Sequence, residues 1–161
     1  MKTINYKKAF LWGIVVLIID MLVGNLLYMN PLVMNLFEKF AGHPTMRSME
    51  YFGGISNWIM INTIFSILFI IFLIVIFLKL YASIPGTGWK KGLVFGIIVG
   101  SIKAIPEAFN QYMLFNYPTS LILVQLINTL ISLNIFGIVL ASIFSKFKVI
   151  VLHTSTAKEK L

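Results

Sequence analysis

Cysteine is absent from the 161-residue sequence, and charged residues are few. Without a thiol, the chain can form neither disulfides nor thiolate metal sites nor iron–sulfur ligation. Asp, Glu, Lys and Arg together make up 11% of the residues, whereas a soluble domain carries about 25%. So few charges cannot cover a surface that faces water, and most of the exterior must therefore face lipid.

Histidine and acidic residues are scarce as well, which bears on catalysis. The two histidines, His43 and His153, lie in different segments, and the five acidic residues form no cluster that resembles a divalent metal site. No nucleophile and base can be recognised as a covalent catalytic pair. The sequence therefore predicts a protein that is not an enzyme and that holds no metal and no other cofactor.

Long apolar runs make up most of the chain. Hydrophobic residues account for 59% of it, and the mean hydropathy is +0.94. A helix needs about 20 apolar residues to cross a bilayer, and four runs reach that length. The prediction is an all-α membrane protein that forms a single four-transmembrane-helix bundle over residues 1–161. Its helices are expected at about 9–29, 55–80, 92–115 and 119–145.

The connection after the first run carries the pattern of a short surface helix. Asn30 and Pro31 are typical of a helix cap and the first helical position. Leu32 and Leu36 then share one face, while Glu38 lies on the other. We therefore expect an amphipathic helix at about 31–41 that lies at the outer interface of the membrane.

Basic residues are divided unequally between the two ends of the predicted helices. Only Lys39 and Arg47 lie at one end. Ten lysines lie at the other: Lys2, Lys7, Lys8, Lys79, Lys90, Lys91, Lys146, Lys148, Lys158 and Lys160. Because Lys and Arg near helix ends stay in the cytoplasm, both termini are expected there, in a multi-pass protein of the inner (cytoplasmic) membrane. The net charge of +8 then favours membrane lipids as partners and does not indicate nucleic-acid binding.

A short motif occurs twice at related positions. Ile61-Asn62-Thr63, followed by Ser66, recurs as Ile127-Asn128-Thr129, followed by Ser132. The repetition predicts a tandem duplication of a helical hairpin, with the two copies in parallel orientation. Chance similarity within a sequence rich in Ile, Leu and Phe is the alternative.

Three ionisable residues lie inside the predicted helices, where a charge is costly. Asp20 and Lys103 lie at equal depth on two helices, so we expect them to pair, and Glu107 follows one turn after Lys103. Amides at similar depths extend this predicted polar site: Asn25, Asn62, Asn128 and Asn134. The group either holds the helices together by hydrogen bonds or forms a site for a proton, an ion or a polar solute.

Small residues recur every four positions along the third predicted helix. They are Gly92, Gly96, Gly100, Ala104 and Ala108. Such a stripe lets another helix approach closely, and we interpret it as a helix-packing seam. Its partner is either a helix of the same chain or one of another copy. A homo-oligomer or a complex with a partner membrane protein is expected, because four helices alone bury few of the polar groups.

The motif Gly-Asn-Leu-Leu-Tyr-Met-Asn-Pro at residues 24–31, continuing to Gly42, resembles one in a widespread family of uncharacterised four-helix bacterial membrane proteins. There it ends the first helix, with a Gly, a Trp–Tyr pair, a Pro and a later Gly, and Leu27 stands where the family has Trp. Residues 114–137 are similar to the last hairpin of that family. The resemblance implies the four-helix architecture and implies no activity.

These patterns lead to one expected function and two alternatives. The chain is expected to be an interaction or accessory component of a membrane assembly, without a catalytic centre. The first alternative is a small transporter or channel for a proton, an ion or a polar solute that uses Asp20, Lys103 and Glu107. The second is a lipid-binding protein that uses residues 30–54 at the outer interface.

Overall fold

The computed structural model describes residues 2–152; His153, Lys158 and Lys160 lie outside this part. The described residues form five α-helices, a short 3-10 helix at Met49–Phe52 and two strands. The helices are α1 (Tyr6–Tyr28), α2 (Pro31–Lys39), α3 (Ile55–Leu80), α4 (Gly88–Leu114) and α5 (Thr119–Lys146), and the strands are β1 (Lys2–Ile4) and β2 (Ile150–Leu152). All of these helices but α2 are long and apolar enough to cross a membrane. The predicted all-α four-helix bundle is thereby confirmed, and α2 is the short helix expected between the first two spans.

Two asparagines fix where helices begin. The Asn5 side chain accepts a hydrogen bond from the backbone N–H of Lys8 at 3.0 Å, so α1 starts at Tyr6, before its apolar run. The Asn30 side chain accepts from Val33 N at 3.1 Å and donates to Leu27 O at 2.8 Å. It therefore caps the start of α2 and the end of α1 together, which fixes the turn between them.

The core is concentrated near the end of the bundle that carries β1 and β2, which we call the terminal end. Three buried aromatic rings join three helices there: Phe77 of α3 lies 5.1 Å from Phe95 of α4 and 6.2 Å from Phe144 of α5. All buried residues of α3 lie between Ile70 and Phe77, in its C-terminal half. The opposite end, which we call the far end, is consequently less tightly packed around α3.

The two strands pair at the terminal end, and no pattern in the sequence predicted them. β1 and β2 are antiparallel, with Thr3 opposite Val151, and the Asn5 N–H donates to Val149 O at 2.9 Å. Trp12 stacks on Phe147 with 3.5 Å between ring centroids. These contacts hold the beginning of α1 beside the end of α5.

A buried lysine fastens the turn between α3 and α4. The Lys91 ammonium donates to Tyr81 O at 2.7 Å and to Ile84 O, and it lies 4.7 Å from the centroid of the Tyr81 ring. The carbonyls at the end of a helix lack partners within it, and Lys91 supplies one for Tyr81. A cation at this end also interacts favourably with the helix dipole. Burial raises the pKa of the Tyr81 phenol, so the ring stays neutral beside the lysine.

The small-residue stripe of α4 packs against α5 of the same chain. A Cβ atom on Gly96 would lie 2.6 Å from Leu133 O and 2.7 Å from Asn134 Cα, and one on Gly92 would overlap the backbone of Gly137. Gly100 and Ala104 are also buried, while Ala108 is half-buried. α4 and α5 therefore form a hairpin whose backbones touch.

Candidate functional site

The fold brings the ionisable residues of α1 and α4 into one region of the bundle. Asp20 and Lys103 are close enough to interact electrostatically, and so are Tyr28 and Glu107. The Asp20–Lys103 interaction acts through space, without a hydrogen bond. The Lys103 ammonium instead lies 4.9 Å from the centroid of the Phe69 ring on α3, a cation–π arrangement that partly replaces water.

These charges are not enclosed by the chain. Lys103 and Glu107 are exposed, and Asp20 is half-buried. Lys103 is about 17 Å along α4 from Gly92, where the apolar run begins, at ~1.5 Å per residue, so hydrocarbon would surround it in a bilayer about 30 Å thick. A charge at that depth is costly unless water, an opposite charge or another chain covers it.

Two hydrogen bonds hold the end of α1 against the middle of α5. Asn128, which is 8% exposed, donates from Nδ2 to Leu27 O at 2.9 Å. The Tyr28 hydroxyl lies 3.3 Å from the Thr129 hydroxyl. Leu27 is in the last turn of α1, so its carbonyl has no partner in its own helix, and it accepts from both Asn30 and Asn128.

A small polar cleft opens beside this junction, between α4 and α5. Glu107 and Gln111 of α4 line it with Gln125 and Thr129 of α5, and its volume is about 10 Å³. A space of this size holds about one water molecule. Within the described residues, Glu107 is thus the carboxylate that such a water would contact.

The other predicted amides lie outside this group. Asn62 is exposed and donates to Trp58 O of its own helix at 2.9 Å, and the Asn25 side chain is exposed as well. Asn134 donates to Leu130 O at 2.7 Å, and its buried Oδ1 has no hydrogen-bond partner among the described residues. Asn62 and Asn128 therefore occupy equivalent places in the repeated motif but different environments, and the duplication stays a prediction.

Sequence reasoning missed several polar groups that belong to this region. Tyr28, Thr129 and Gln125 contribute to the junction or the cleft, although none was assigned to the site. Thr129 follows Asn128 in the repeated motif, which could have indicated it. No comparable signal in the sequence marks Gln125, because only the pairing of α4 with α5 places it opposite Glu107.

A second feature is a groove between α3 and α4. Residues of α3 from Phe69 to Leu80 line it together with residues of α4 from Phe95 to Lys103. Its volume is about 270 Å³, and the surface that it offers is entirely apolar. The groove runs along the terminal half of the bundle, and Lys103 lies at its deep end.

Comparison of the chain with protein-family models, with curated proteins and with solved structures gave no match. The chemistry of the region must therefore be argued from its own geometry. An exposed ammonium, an exposed carboxylate and an apolar groove can bind another helix, a lipid or an ion. They offer no nucleophile held by a base.

Proposed function

We propose that this protein is an interaction or accessory component of a membrane assembly. The observation that carries the proposal is the exposure of Lys103 and Glu107 on a helix that is long and apolar enough to span the bilayer. A second copy of the chain or another membrane protein would cover both charges with polar groups. This would remove the cost of placing them against acyl chains.

The proposed placement is the inner membrane, with both termini in the cytoplasm. Lysines are concentrated at the terminal end of the bundle, whereas Lys39 and Arg47 lie in the connection at the far end. Reporter domains fused at the C-terminus and inserted within residues 45–52 should give opposite signals for cytoplasmic exposure. The same signal from both fusions would contradict four spans.

The experiment that tests assembly is photo-crosslinking in native membranes, followed by measurement of particle mass in a mild detergent. A crosslinking amino acid at Glu107 should join the chain to one protein in fixed ratio, either a second copy or a different chain. The same amino acid at Leu123, which is 51% exposed on α5, serves as the control and should capture mainly lipid. Capture of lipid alone at both positions, with a monomeric particle, would reject the proposal.

Transport of a proton or an ion is the second candidate, because Glu107 lines a cleft of water size and Asp20 lies near Lys103. Vesicles that contain the purified protein should then dissipate a pH or ion gradient. Glu107→Gln should abolish that flux while the particle mass stays unchanged. If the vesicles show no flux and the assembled particle is present, the charges act in association alone.

A further inference from the structure

We propose that the groove between α3 and α4 binds one acyl chain of an anionic phospholipid from the leaflet at the terminal end. The site shares Lys103 with the surface of the proposed function, but the rest of its lining lies on the terminal side of Lys103, away from Glu107, so the lipid can bind whether or not a partner covers Glu107. It also differs from a lipid site at the outer interface, because α2 takes no part in it. The length, the volume and the lining of the groove and the charge beside it each support this occupant.

The length of the groove matches one leaflet. Its α3 wall runs from Phe69 to Leu80, which is about 16 Å at ~1.5 Å per residue. Half of a hydrocarbon core of about 30 Å is about 15 Å. An acyl chain that enters beside Leu80 would therefore reach the middle of the bilayer at Lys103.

The volume of the groove favours an acyl chain over a helix. A hydrocarbon chain about 4 Å wide and about 16 Å long occupies on the order of 200 Å³, which fits the volume of about 270 Å³. A helix of the same length with its side chains, about 10 Å across, needs more than roughly 1,000 Å³. A neighbouring helix could insert only side chains, whereas a lipid chain could fill the groove along its length.

The lining and the deep end suit a hydrocarbon. The walls are formed by side chains such as Phe72, Leu73 and Val99, and they offer no polar surface. The Lys103 ammonium is directed over the Phe69 ring, so it is the apolar stem of this lysine that closes the groove. An acyl chain in the groove would contact apolar side chains along its length. These contacts fit its shape better than its contacts with the other lipid chains of the bilayer.

Basic residues lie at the terminal ends of both helices that form the groove, and their charge has the sign that an anionic headgroup requires. Lys79 precedes Leu80, the last α3 residue of the lining, and Lys90 lies five residues before Phe95 on α4, on the side of Phe95 toward the terminal end. Both lysines are exposed, and Lys90 lies 5.9 Å from the ring of Trp89. Basic residues at a membrane surface favour anionic lipids by about 1 kcal/mol each, and tryptophan is enriched at that level.

Lipid binding to the purified protein, measured by native mass spectrometry, tests the site. Phosphatidylglycerol and phosphatidylcholine with identical acyl chains would be titrated onto the delipidated protein in detergent. We expect one tightly bound phosphatidylglycerol, with at least tenfold weaker binding of phosphatidylcholine. Lys90→Gln should bring the two affinities closer together, whereas Lys39→Gln at the far end should leave the ratio unchanged.

Two neighbouring isoleucines supply a matched pair for the groove itself. Ile97 and Ile98 are 49% and 48% exposed, but only Ile98 lines the groove. Ile98→Trp should fill it and weaken lipid binding at least tenfold, while Ile97→Trp should bind as the unmodified protein does. Equal binding by both variants would overturn the site, and equal affinity for the two lipids would overturn the anionic headgroup.

A folding defect in Ile98→Trp would also weaken lipid binding, so the site is tested on the unmodified protein as well. Crystals grown from a lipid phase with phosphatidylglycerol brominated on one chain should show bromine between α3 and α4, near Leu73 and Val99. Bromine found only on other faces would refute the proposal. A second copy of the chain seated in the groove would refute it as well.

Discussion

Alanine at Gly96 tests the backbone contact between α4 and α5. Its Cβ would lie 2.6 Å from Leu133 O and 2.7 Å from Asn134 Cα, whereas carbon atoms pack at about 3.5–4.0 Å. The opposing atoms are backbone, so no rotamer change can relieve the overlap, and α4 must move about 1 Å away from α5. Such overpacking costs about 1–3 kcal/mol, against a gain of up to about 1 kcal/mol in helix propensity. We expect a net loss of about 2 kcal/mol.

The assay is reversible unfolding in mixed micelles, followed by circular dichroism as denaturing detergent is added. Gly24→Ala is the matched control, because Gly24 is helical and its Cβ would meet nothing within 4 Å. It should leave the free energy of unfolding unchanged or raise it by up to about 1 kcal/mol. Gly100→Ala should fall between the two, since its nearest neighbour, Leu130 Cδ2 at 3.4 Å, is a flexible side-chain end. Equal stability of the Gly96 and Gly24 variants would refute backbone contact between α4 and α5.

Three further predictions use the same unfolding assay. Lys91→Met should cost about 2–3 kcal/mol, because two carbonyls of the turn between α3 and α4 lose a charged donor; an unchanged free energy of unfolding would contradict that role. Asn128→Leu should cost about 1 kcal/mol through the lost bond to α1, whereas Asn62→Leu should cost close to nothing; equal losses would contradict their different environments. Asp20→Asn combined with Lys103→Met should lose less than the sum of the two single losses, by about 0.5–3 kcal/mol; strict additivity would mean that the two charges do not interact.

The four long helices could be predicted from the sequence, because a helix that spans a membrane appears in it as a long apolar run. α3 begins and ends at the predicted residues, 55 and 80. α4 begins at Gly88, earlier than the predicted residue 92, because Trp89, Lys90 and Lys91 are helical but do not belong to the apolar run. The apolar run marks the hydrocarbon region, whereas the helix continues beyond it into the interface.

The paired strands escaped prediction for a different reason. Ile4 and Ile150 belong to segments of three residues, too short for alternation to be recognised, and their pairing depends on a partner far along the chain. The candidate site was also hard to predict, because it too depends on contacts between residues that are far apart along the chain. Asn62 and Asn128 have identical neighbours in sequence, and only tertiary packing exposes the first and buries the second.

The pairing of β1 with β2 has a consequence for biosynthesis. Residues 150–152 leave the ribosome after all four spans have been made. Lys2–Ile4 therefore stays unpaired while the spans are inserted. The entropic cost of closing a loop of this length would be on the order of 4 kcal/mol for a free chain. An even number of inserted helices has already returned the chain to the same face of the membrane, which removes most of that cost. Formation of the sheet therefore reports that an even number of spans has been inserted, and a chain with one span left out would have its two strands on opposite faces.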